Sequence, residues 1–218
     1  KQPGAWDYNI LPFIEQQTLH DLGIGASLNS AEQRAANTQR IMTPLSVMNC
    51  PSRRAAILFP AVPGELNSSG SPANNAYYLS NPVSMVARTD YAACSGDKDF
   101  NRWHQLHNRF ITYQQGDLPN YPWYFPNQTY LGDKMDATHF TGVCFMRSEI
   151  TIAQVSDGTS NTFMVGEKYL NADQYFTGKD PADNQSLFCG FNSDNFRCTV
   201  PYQLFGSPMQ DTPGYPNV

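Results

Sequence analysis

Asp97, Asp99 and Asn101 stand at alternate positions, a spacing at which side-chain oxygens converge on a hard cation such as calcium. The rest of an EF-hand does not follow. Arg102 occupies the place of its turn glycine and Asn108 that of its closing glutamate, which leaves a looser calcium loop or a solvated turn. His104 and His107 lie three apart, followed by Asp117 and His139, and on a helix the two imidazoles would share a face toward a transition metal. No further Cys or His cluster accompanies them, and surface imidazoles are the plain reading. Asp157 and Glu167 flank an expected strand of about five residues, roughly 17 Å long, too far apart for joint acid and base work on one bond. Their expected roles are turn-former and strand-end partner to Arg147 or Lys168. Ser160 lacks the G-x-S-x-G setting of a hydrolase nucleophile. The aromatic belt Trp103, Tyr113, Tyr121, Trp123, Tyr124, Phe125 and Tyr130 offers flat faces for stacking on sugar rings, centred on Trp103, Trp123 and Tyr124. The same rings equally serve a core or a subunit interface. No residue set meets the geometric needs of a nucleophile with its base, so the expectation is a protein without catalytic residues or cofactor, calcium aside.

These side chains must be held by a chain of 218 residues, enough for one core and one domain over residues 1–218. Charged residues make up 15%, well below the roughly 25% of typical soluble domains. Asn, Gln, Ser, Thr and Tyr take their place, a surface common outside the cell. A net charge of −5 and the lack of a basic stripe argue against nucleic acid as a partner. Arg53-Arg54 is the only adjacent basic pair. Five cysteines, Cys50, Cys94, Cys144, Cys189 and Cys198, contain no CxxC and hence no zinc or haem spacing. They fit an oxidising compartment with one or two disulfides, of unsettled connectivity. Cys189 and Cys198 are close enough in sequence to staple a loop, and the odd count leaves one thiol over. The sequence shows no signal peptide or transmembrane helix, and Lys1 without a preceding Met reads as a segment that starts after the natural beginning.

Periodicity predicts an amphipathic helix over 9–22, with Pro12 in its first turn and Gly23 as its stop, and a second over 31–42, opened by Ser30 with Gln33 as a capping box. Leu45–Cys50 is apolar and β-compatible. Residues 60–82 and the Pro-broken run 110–130 read as irregular. Strands are expected at 89–94 and 142–147, a short helical turn at 150–155, and the best strand at 162–167. A tight Asp157-Gly158 turn precedes that strand, satisfied by neighbouring Ser, Asn and Thr side chains. Short helices early and short antiparallel strands later make the class α+β.

Seven stretches resemble, in order, a large family of planctomycete proteins with prepilin-type N-termini, known as a domain of unknown function. They are Trp6–Asp21 (WDYNILPFIEQQTLHD), Asn49–Arg54 (NCPSRR), Asp90–Asp97 (DYAACSGD), Gly142–Ser148 (GVCFMRS), Ser156–Lys168 (SDGTSNTFMVGEK), Phe191–Arg197 (FNSDNFR) and Asp211–Tyr215 (DTPGY). Members begin with a prepilin leader and long apolar helix and close with a glycine-rich His and Asp-Gly segment. This chain shows neither. The resemblance implies a pilin-like globular head outside the cell or at its surface, reaching a membrane only through that helix. It also implies assembly with copies of itself or related subunits into a filament or secretion apparatus, with a calcium loop of the kind some pseudopilins carry. A family label in some catalogues implies extracellular solute binding instead, with polysaccharide as the ligand that the aromatic belt would suit.

Overall fold

The first predicted helix is broken into single turns. The structure, a computed structural model, describes residues 6–61, 80–97, 141–145, 148–190, 192, 194–199 and 209–214. In place of one helix over 9–22 the chain forms α1 (Trp6–Asn9), a 3-10 turn (Leu11–Ile14) and α2 (Gln17–His20). Pro12 carries no N–H, and Glu15 adopts a left-handed backbone (φ 62°) whose N–H closes on Leu11 O, so the helix cannot run through. The apolar face survives. Leu11 and Leu19 are buried with Leu45, Met48, Ala87, Leu187 and Phe188, and Trp6, Tyr8, Ile14 and Leu22 pack against them.

The second helix, α3 (Ala31–Ile41), follows its prediction. Ser30 Oγ accepts from Gln33 N at 3.1 Å, while the Gln33 amide oxygen returns to the N–H of Asn29, one residue before the cap. Arg40 near its end donates to Leu19 O (3.2 Å), Leu22 O (2.5 Å) and Asn37 Oδ1 (2.6 Å), which satisfies carbonyls at the end of α2. Leu45–Cys50 is not a strand but contains a 3-10 turn, Ser46–Met48. Leu45 and Met48 both face the core, a spacing of three that fits a 3-10 turn and not the alternation of a strand.

Two small sheets complete the described part. β1 (Phe59–Pro60) pairs antiparallel with β2 (Met85–Val86). β3 (Tyr91–Gly96) is the centre of a three-stranded sheet in the order β4-β3-β5. β4 (Val165–Glu167) runs antiparallel to it, with Ala92 opposite Gly166, and β5 (Phe196–Cys198) parallel, with Cys94 opposite Arg197 and a register shift before Gly96. The class is α+β, with one parallel pairing where antiparallel strands were expected. β3 starts two residues later than predicted because the Thr89 and Asp90 side chains engage the 45–50 turn: Thr89 Oγ1 donates to Met48 O (3.1 Å) and Asp90 Oδ2 accepts from Cys50 N (2.8 Å). Of the strand predicted at 162–167 only the last three residues join the ladder. Residues before it close the Asp157-Gly158 turn, with Asn161 Nδ2 donating to Asp157 O (2.9 Å) and Thr162 Oγ1 to Gly158 O (3.1 Å). The expected strand at 142–147 is irregular over its described residues 142–145. Among the described residues no helix is long and apolar enough to cross a membrane.

Candidate functional site

The recognised sequence blocks meet around a buried ionic cluster. The turn ending the Asn49–Arg54 block supplies Arg53 and Arg54, Asp90 opens the block that forms β3, and Lys168 closes the block that forms β4. Arg54 Nε donates to Asp90 Oδ1 at 2.7 Å, and its two terminal nitrogens grip both carboxylate oxygens of Asp183, at 2.6 and 3.1 Å. Nη1 also donates to Tyr175 O (2.8 Å) and Nη2 to Thr89 O (3.4 Å), so the five donors of the guanidinium are all engaged. Its planar head lies over the Phe59 ring, 4.5 Å from the centroid. Lys168 Nζ likewise spends its three protons on Asp183 Oδ1 (2.9 Å), Ala182 O (3.1 Å) and Asp194 O (2.8 Å). Arg88 adds a third cation, with Nη2 on Pro60 O (2.8 Å) and Nη1 3.6 Å from Asp183 Oδ2. Gly178 (φ +68°) makes room for it, since a Cβ there would lie 2.3 Å from Arg88 Nη2. Arg54, Arg88, Lys168, Asp90, Asp183 and Asp194 are each at most 3% exposed.

Burial sets the charge states. It pushes the Asp183 carboxyl up, but Lys168 and Arg54, with Arg88, outweigh it and hold Asp183 down at about 2. Burial raises Asp194 to about 6 against the pull of Lys168, and lowers Lys168 itself against the pull of Asp183. Beside this cluster, Asp7 of α1 is raised by burial to about 7, although Asn195 Nδ2 donates to its Oδ2 (2.9 Å) and Tyr8 N to its Oδ1 (2.9 Å).

An outer layer reaches the surface. Arg53 Nε lies 2.8 Å from Asp211 Oδ2, and its Nη2 lies 3.4 Å from Glu167 Oε2. Asp211 also accepts from Tyr175 OH (2.5 Å) and Leu170 N (2.8 Å). Partial burial, then that bond to Asp211, pushes the Tyr175 phenol up to about 12. Glu167 therefore pairs with Arg53, not with Lys168, because Lys168, the next residue, turns inward to Asp183; the other expected partner, Arg147, lies outside the described residues.

Chemically, this arrangement holds shape. A lysine with every proton engaged cannot attack a carbonyl, and an arginine bound at all five donors has none left for a substrate. Asp157 serves its turn, as expected, at a distance from these charges along the chain. Asp97 directly follows β3 and is bonded to Thr141, its N donating to Thr141 Oγ1 at 2.8 Å. The other calcium candidates, Asp99 and Asn101, lie outside the described residues. So do Trp103, Trp123 and Tyr124 with the rest of the aromatic belt, and His104, His107, Asp117 and His139. Among the described residues no group of three or more His, Cys, Asp or Glu is placed to hold a metal ion. Cys189 and Cys198 pack in different apolar clusters, one with Ile41 and Val86, the other with Phe145 and Phe196.

Sequence reasoning named Lys168 only as a partner for Glu167 and did not single out Arg54, Asp90, Asp183 or Asp194. A signal existed. In a chain this poor in charge, Asp90 abuts the apolar run of its block, Lys168 follows that of its own, and Arg53-Arg54 is the only adjacent basic pair. The two remaining blocks join the same framework: Asp7 of the first block bonds Asn195, and Phe145 of the fourth packs on Phe196.

A family model described as a protein of unknown function (DUF1559), with the short label SBP_bac_10, matches residues 1–195. That solute-binding label goes with a place outside the cytoplasm. No curated protein and no solved structure matches the chain. With seven sequence blocks in order and a match over all but the end of its 218 residues, the chain belongs to this family of proteins of unknown function, DUF1559.

Proposed function

We propose that the protein is a structural subunit, the pilin- or pseudopilin-like head of an extracellular filament or secretion apparatus, and that it carries out no catalytic turnover. One observation carries this reading. Among the described residues β4 is an edge strand, and the residues leading into and along it, Phe163, Met164 and Val165, are 76%, 60% and 39% exposed. Exposed apolar side chains along an unpaired sheet edge invite another strand or surface, and a subunit that works alone normally blunts them with charge or proline. The buried ionic cluster supports the same reading from inside, since every donor of Arg54 and Lys168 is engaged with the fold. Calcium at Asp97, Asp99 and Asn101 belongs to this proposal as a stabiliser of the head.

The test is the mass of the native full-length protein by light scattering over a concentration series, beside a Phe163→Asp/Met164→Asp variant. Concentration-dependent assembly by the wild type, lost in the variant at unchanged melting temperature, is the expected outcome. A wild type that stays monomeric throughout would overturn the proposal.

The family's solute-binding label favours a second reading, a module for carbohydrate or another solute centred on Trp103, Trp123 and Tyr124. Tryptophan fluorescence titrated with a panel of polysaccharides separates the two, and a flat response removes this reading.

A further inference from the structure

The ends of segment 98–140 are brought together at a narrow neck formed by residues 94–97 and 141–144. Gly142 N donates to Ser95 O (3.1 Å) and Cys144 N to Cys94 O (3.4 Å). At the tip, Asp97 N donates to Thr141 Oγ1 (2.8 Å), whose hydroxyl donates back to the Asp97 carboxylate. Gly96 and Gly142 press backbone against backbone: a Cβ on Gly96 would lie 2.2 Å from Gly142 N, and one on Gly142 would lie 2.4 Å from Gly96 N. No side chain fits between the two arms.

Cys94 and Cys144 stand across this neck from each other, the Cys144 N–H on the Cys94 carbonyl. One backbone bond of that length keeps two Cα atoms within about 7 Å, close to the roughly 4.4–6.8 Å that a disulfide spans. The Cys144 thiol also lies within the electrostatic reach of Cys94. The other thiols are placed differently. Cys50 Sγ is 3.0 Å from Ser52 Oγ, and Cys189 is sealed in the cluster of Ile41 and Val86. Cys198 also lies within the electrostatic reach of Cys94 and packs in the cluster that Cys144 joins, but in the strand register it stands opposite Gly96, while Arg197 stands opposite Cys94. All five are thiols in the structure.

We propose that Cys94 and Cys144 are the disulfide pair of this protein, a covalent staple across the neck of segment 98–140. This holds whether the head assembles into fibres or binds a solute. The link forms by exchange with a disulfide donor of an oxidising compartment, itself a protein or small-molecule disulfide. One cysteine thiolate attacks a donor sulfur and expels the first donor thiolate. The second cysteine then attacks the resulting mixed disulfide and expels the other. The donor gains two electrons, the pair loses two, and the two thiol protons pass to the released thiolates. In the folded head, burial pushes the Cys94 and Cys144 thiols up, so they are protonated at neutral pH. Exchange therefore belongs to the folding chain, and the finished link is structural, not a cycling redox pair.

Peptide mapping under non-reducing conditions, after acid quench and alkylation of native protein prepared without reductant, tests this directly. The expected result is one peptide linking Cys94 to Cys144, with Cys50, Cys189 and Cys198 alkylated. Reduction should lower the melting temperature by roughly 5–15 °C. The Cys144→Ser variant should start at that lower value and lose nothing more on reduction. Five alkylated cysteines in the native protein, or a link from Cys94 to Cys198, would overturn the proposal, and the wild-type map decides this even if the variant fails to fold.

Discussion

Arg54 is the side chain on which most of the buried charge balance turns. Removing it leaves Asp90 and Asp183 in the interior, with Asp183 still facing Lys168 and Arg88 but Asp90 left with the more distant Arg53 as its cation, beside the bond from Cys50 N. Arg54→Met is expected to lower the unfolding free energy by about 3–5 kcal/mol in urea titrations. Arg54→Lys should recover little, because an ammonium cannot reproduce the fork onto two carboxylates. The exposed Lys179→Met should change stability by less than about 0.5 kcal/mol. The carboxyls also predict a pH profile. Asp7 and Asp194 hold their protons more tightly in the folded state, at about 7 and about 6, than in the unfolded chain, where a carboxyl titrates near 3.8. Their contribution to stability is complete below about pH 4 and drains away as pH rises through those values. Asp183, held at about 2, works in the opposite sense: its contribution is complete above about pH 4 and is lost as pH falls through 2. Together these three groups place their maximum near about pH 4. Asp7→Asn keeps an oxygen for Tyr8 N and removes the titrating charge. Unfolding measured between about pH 5 and 8 should therefore show a shallower decline in the variant and an unchanged acid limb.

Among the elements, α3 was legible and the segment before it was not. Ser30 and Gln33 sit at the capping spacing ahead of an alanine-rich run, and local chemistry alone decides that helix. Ser30→Ala should cost about 1 kcal/mol, read as a lower urea midpoint with an unchanged slope. The 9–22 segment has an equally good apolar pattern, but the left-handed Glu15 that divides it is a non-glycine residue, a backbone state that periodicity does not reveal. Likewise the β-compatible residues Leu45–Cys50 were drawn into a turn by Asp90 and Thr89, 40 or so positions further along the chain. Strand length failed for a related reason: Thr162 has a side chain that serves a turn better than a ladder.

At the scale of the molecule, the family blocks were visible in the sequence as separate words, and their meeting place was not. Nothing local says that Arg54, Lys168 and Asp183 share one interior point, because ion pairs between distant segments leave no periodic trace. The exposed apolar run at β4 was legible only as a good strand. Its position at the edge of the described sheet is what the proposed assembly rests on, and the Phe163→Asp/Met164→Asp variant should alter association without moving thermal stability, since neither side chain contributes to the core. The parallel pairing of β3 with β5 has a consequence for biosynthesis. Ser95 reaches Arg197 across 102 positions, and Trp6 Nε1 reaches Asn195 O across 189 (2.7 Å). Contacts of such span form late, because the entropy of closing long loops must be met before they give anything back. The sheet therefore cannot close on the ribosome until synthesis has passed Cys198, and a nascent chain that stays open for so long is in the state that a translocation channel accepts.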